Sequence, residues 1–200
     1  MELKIFILFM LIVSCGKKEL NSIVIPADEA TDAEKEILFK ALDRIQDEFD
    51  GIGVSVNLRS IPYHVATLDS SLAGYCAYRA DGSPIGIAIN HSVFNYWGSE
   101  TELHYGPIYK VLLHEIGHCF FGRDHDQEMF SVPGHELGLQ LLAGHPEEIR
   151  SELELSAMKD YAEPFTAKAL WPYYIKEIAG QDRITSLADL RRYVEVTLVP

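Results

Sequence analysis

An α+β domain is the fold class that the 200 residues predict, and three observations predict it. Strand-like and helix-like hydrophobic periodicities mix in the first half of the chain. One patterned helix with a His-Glu-x-x-His segment follows them. The last third then reads as irregular and helical, broken by Pro133-Gly134 and by Gly144-His145-Pro146. A hydrophobic content of 48% is enough for one core, so residues 22–200 are expected to form a single domain. The formal charge of −13 and the sequence pI near 5.0 exclude a nucleic-acid surface, which needs clustered Lys and Arg.

Residues 1–14 read as an export signal. One lysine precedes Ile5 to Val13, an unbroken apolar run that is short for a permanent span. The run ends in Leu11-Ile12-Val13-Ser14-Cys15, which resembles a bacterial lipobox. That resemblance implies cleavage before Cys15 and lipidation of its thiol. An ordinary secretory signal or an uncleaved anchor are the alternatives. Residues 15–21 would then be a short tether, holding the domain at the bacterial cell envelope, on the periplasmic or surface face of the outer membrane. The only membrane contact expected is the lipid, and the domain is expected to be a monomer.

The elements follow in order. Ile23-Val24-Ile25 is a short β-type run ended by Pro26. Thr31-Asp32-Ala33-Glu34 has the capping-box pattern, and Ile37, Leu38, Ala41, Leu42, Ile45 and Phe49 form one stripe at helical spacing. Asp50-Gly51 is the expected stop. Val54, Val56 and Leu58 alternate with polar residues, the pattern of a half-buried strand. Residues 60–71 have room for another short strand. Gly74–Arg79 and Pro84–Asn90 flank Ala80-Asp81-Gly82-Ser83, which signals a hairpin. Beyond a polar and aromatic loop from His91 to Glu100, Pro107 opens a helix that runs to Gly122. Phe165–Ala179, stopped by Gly180, and Leu187–Val196 are the remaining helices expected.

The chemistry lies in His114-Glu115-Ile116-Gly117-His118. Positions i and i+4 share a helix face, so His114 and His118 can converge on one metal ion. Glu115, one residue on, is placed to act on a water there as a general base. A surface pair of histidines satisfied by solvent is the bland alternative. Gly122 lets the chain turn, and His125 follows as a third donor. Asp124 and Asp126 flank His125 as further ligands or as partners for its ring. His64, His91, His104 and His145 lack ligand spacing.

These residues resemble the metzincin metalloproteases, whose pattern is His-Glu-x-x-His-x-x-Gly-x-x-His. Gly122 and His125 each fall one place late, so His125 lies seven residues after His118 rather than six. The His118-Cys119 and Arg123-Asp124-His125 pairing also resembles a group of bacterial lipoproteins. The resemblance implies one catalytic zinc held by His114, His118 and His125, with Glu115 as base. It also implies a methionine turn at Ser156-Ala157-Met158, where the alternative is an ordinary core methionine. Tyr161 is a candidate to stabilise an oxyanion. The order of elements implies a mixed N-terminal sheet with a packing helix, and an edge strand at Gly74–Arg79 that pairs with extended peptide or protein substrate. Glu136 as third ligand would instead imply a thermolysin-like peptidase. A binding lipoprotein with structural zinc and a cell-wall amidase are the other readings.

Cys76 and Cys119 remain once Cys15 is lipidated. In an oxidising compartment they either bond to each other or stay as two buried thiols.

Overall fold

The computed structural model describes residues 25–96, 107–125, 129–131, 152–154, 156–158 and 171–184, with 186, 188, 189, 192 and 193. Residues 1–24, with Cys15 and most of the first expected strand, lie outside the described residues. So do Asp126, Glu136, Tyr161 and most of the expected last helix, although 188–189 and 192–193 are helical. Ile25 belongs to no element.

Helix α1 (Asp32–Gly51) starts where the capping box places it. The Thr31 hydroxyl accepts from Glu34 N, and the Glu34 carboxylate accepts from Thr31 N at 2.8 Å. Its stripe buries Leu38, Ala41, Leu42, Ile45 and Phe49. The helix ends at the expected Asp50-Gly51. The helix includes Gly51, and the left-handed residue is Gly53, with Val54 N reaching back to Phe49 O.

The strand expected at Val54–Leu58 is absent. The alternation in burial is real, since Val54 and Val56 are half-buried and Leu58 is buried. Among the described residues, however, no neighbouring strand takes up its backbone groups. The Gln46 amide of α1 bonds Val56 O at 2.7 Å and Leu58 N at 3.1 Å, and Leu58–Ser60 closes a 3-10 turn. An extended chain pinned by one side chain thus has the periodicity of a strand without its ladder.

A three-stranded mixed sheet follows, made of β1 (Tyr63–Ala66), β2 (Gly74–Tyr78) and β3 (Pro84–Asn90) in the order β1-β3-β2. β1 runs parallel to β3, and β2 forms the expected antiparallel hairpin with it. A 3-10 helix covers His91–Tyr96, in what was expected to be loop. Helix α2 (Pro107–Phe121) begins at the expected proline and lies against β2, β3 and α1. Every residue from Ile108 to Cys119 is buried, so α2 runs through the core rather than over it.

The C-terminal third contains a feature that its helical reading omits. β4 (Met129–Ser131) and β5 (Glu152–Glu154) pair antiparallel in a second, two-stranded sheet. Three-residue strands are too short for any periodicity to register. Helix α3 (Trp171–Ile178) packs on α1 and α2. The Trp171 ring stacks edge-on against Tyr109 at 4.9 Å, and its indole N–H donates to Glu48 of α1 at 2.8 Å. Helices with a small mixed sheet make the general class α+β. No helix among the described residues is long and apolar enough to cross a membrane.

Candidate metal centre

Three imidazoles meet at the C-terminal end of α2. The Nε2 atoms of His114 and His118 lie 3.1 Å apart, those of His118 and His125 3.1 Å, and those of His114 and His125 3.2 Å. His114 and His118 come from successive turns of one helix face, as their spacing requires. His125 arrives because the chain reverses at Gly122, whose φ of +61 only glycine adopts readily. Gly122 N still closes a turn on His118 O, and Arg123 N reaches Gly117 O at 3.0 Å, so α2 simply runs on through Phe121 before turning.

The two helical rings have fixed tautomers. His114 Nδ1 lies 2.8 Å from Ala157 O, and His118 Nδ1 lies 2.7 Å from Arg123 O. A carbonyl only accepts, so each Nδ1 carries a proton, and in a neutral ring Nε2 then presents its lone pair. Two bare lone pairs 3.1 Å apart repel unless a proton or a metal ion lies between them. Burial and the neighbouring His118 push the His114 pKa down to about 3, which keeps the ring neutral, as a ligand must be. A tetrahedral zinc with bonds of ~2.0–2.1 Å needs donors about 3.3 Å apart. The observed spacings are within a few tenths of an ångström of that, so the three residues fit one divalent ion. His114, His118 and His125 are the one such group found among the described residues.

Glu115 is 1% exposed, on the face next to the ligands. Its charge is felt by Tyr78 of β2. Burial first, then Glu115 and Asp124, push that phenol up to about 12. Tyr78 is therefore a neutral donor, and its hydroxyl bonds His118 O at 2.7 Å. Cys76 of β2 is joined to Cys119 by a disulfide, so the same strand is tied covalently to the residue after a ligand. Asp124 is exposed and lies outside the three-histidine group. His91 pairs with Glu34 at 2.7 Å, and His64 bonds Pro26 O at 2.8 Å, both away from the centre.

Ser156-Ala157-Met158 passes beneath α2. Ser156 Oγ accepts from Met158 N at 3.0 Å, which tightens the turn, and Ala157 supplies the carbonyl for His114. Met158 is fully buried against Gly117, where an added Cβ would lie 2.3 Å from its Sδ.

Gly117 and Arg123 lie inside the motif segment but have no role of their own in its pattern, and Glu177 lies outside it. Gly117 carried a signal, since glycine inside a buried helix is costly and calls for a packing reason. Arg123 and Glu177 lie 54 residues apart and share no local pattern. A cavity of about 480 Å³ opens beside His125, walled by Arg123–His125 and Gly180–Arg183. Comparison of the chain with family models, with curated proteins and with solved structures found no match to any of them.

Proposed function

We propose that this chain is a zinc-dependent metallopeptidase of metzincin-like build, exported and anchored by a lipid on Cys15. The observation that carries the reading is the convergence of three imidazoles, with the buried Glu115 next to His114 on α2. A purely structural zinc site has no use for a carboxylate at that position.

His114, His118 and His125 would hold the ion. Bound there, zinc supplies Lewis acidity, lowering a water's pKa towards ~7 and polarising a carbonyl. Glu115 takes the proton from the attacking water and passes it to the leaving amine. Ala157 O and Arg123 O keep the two helical rings aimed, and Met158 floors the site. Tyr161 remains the candidate for the oxyanion.

β2 favours extended peptide as the substrate. It ends the sheet order, and among the described residues β3 is its one partner strand. A peptide adding to that edge would gain main-chain hydrogen bonds. Its register would be fixed to the centre through Tyr78 and the Cys76–Cys119 disulfide.

Zinc content and peptide hydrolysis of the wild type and of three variants test this. Glu115→Ala should keep zinc and lose at least a hundredfold in turnover. His125→Ala should lose zinc. Retention of zinc there, with loss in Glu136→Ala, would move the chain to the thermolysin-like class. Zinc bound with no cleavage across a broad peptide library would favour the binding lipoprotein.

A further inference from the structure

We propose that Glu177 is a positioning residue for the metal centre, through which one carboxylate oxygen clamps together the two segments that orient His114 and His118. The inference rests on the three-histidine metal reading above.

Glu177 lies on α3, outside the motif segment, and is 1% exposed. A carboxylate so buried stays charged only when paired and hydrogen-bonded. Its Oε1 accepts from two donors on different segments, the Arg123 guanidinium and Ser156 Oγ, the latter at 3.2 Å. A second nitrogen of Arg123 donates to the Glu177 backbone carbonyl at 2.7 Å, so the guanidinium grips α3 at two points.

What those donors hold is the reason to look beyond a structural staple. Arg123 is also the residue whose carbonyl fixes His118 Nδ1. Ser156 opens the turn whose next residue, Ala157, fixes His114 Nδ1. Both carbonyls that set ring orientation thus belong to segments meeting at the same oxygen. The turn is closed further by Met158 N donating to Ser156 Oγ. Ile178, next to Glu177, packs under Gly117 between the two ligands, with its Cδ1 2.9 Å from where a Cβ would stand. Helix α3 therefore backs the centre from below, and Glu177 joins it to both carbonyl supports. Groups that orient a ligating imidazole commonly alter metal affinity ~10–100-fold when removed.

The test is zinc affinity of the full-length protein, measured by chelator competition and independent of any peptidase assay. The probe is zinc alone, with cobalt as a spectroscopic substitute. Glu177→Gln should weaken zinc binding about tenfold or more and shift the visible bands of the cobalt form. Ser156→Ala, which removes a single hydroxyl, should do the same to a smaller extent with the fold retained. Should Glu177→Gln fail to fold, the paired Arg123→Met/Glu177→Leu leaves no lone buried charge and takes its place. Weak zinc binding in that folded pair supports positioning. Wild-type affinity and an unchanged cobalt spectrum in the folded variants would overturn the inference and leave the metal site standing. A wild-type protein that binds no zinc would overturn the inference and the metal reading together.

Discussion

Gly117 has no room for a side chain, because Met158 Sδ and Ile178 Cδ1 occupy the place a Cβ would take. Gly117→Ala must push a fully buried methionine aside, and overpacking of this kind costs about 1–3 kcal/mol. Denaturant unfolding should show that loss. Adding Met158→Ala should recover part of it, and independent additive effects in the double-mutant cycle would refute the contact. His114 sets a pH dependence in the zinc-free protein. The unfolded chain takes up its proton near the ordinary value of 6.5, whereas the folded ring resists until about 3. Above pH ~6.5 neither state carries that proton, so its contribution is constant. Below it the unfolded state binds more protons, so this group's contribution to stability falls as the pH drops from about 6.5 towards about 3. Chelator-treated protein unfolded at a series of pH values should show that slope, and His114→Gln should flatten it. His114, His118 and the place of Glu115 were legible because ligand chemistry and helical spacing coincide in five residues. Glu177 was not, since nothing local distinguishes a buried glutamate from the many on the surface.

The elements near the centre owe their positions to cross-links as much as to packing. The disulfide closes a separation of 43 residues between β2 and α2. In the chain-entropy account this stabilises the fold by about 4 kcal/mol. Cys76→Ala/Cys119→Ala should lose stability of that order in equilibrium unfolding, with zinc still bound. An unchanged midpoint in the double variant would show that packing alone holds β2 to α2. Sequence alone left bonded and free thiols equally open, because it contains no distance. Helices α1 and α2 and the β2–β3 hairpin were readable from their caps, stripe, proline and turn. Val54–Leu58 misled because a side-chain clamp from Gln46 gives the same alternation as a ladder. β4 and β5 are too short to leave a pattern.

For the whole molecule, a metal that binds the folded centre and not the unfolded chain must raise stability by mass action. Zinc at a hundredfold excess over its Kd should add about 2.7 kcal/mol, with a melting temperature that keeps rising with free zinc. An insensitive melting temperature would contradict the three-histidine centre. The α+β class was legible from the order of periodicities, and the fit of three imidazoles to one ion follows from a turn that only Gly122 permits. On the proposed function, the ion and Glu115 act together on peptide bonds. The most direct measurement pairs zinc content with cleavage of an unfolded protein substrate, for the wild type and Glu115→Gln. One zinc per chain in both proteins, with cleavage by the wild type alone, is the expected result. Equal cleavage by Glu115→Gln, or none by a zinc-loaded wild type, would contradict it.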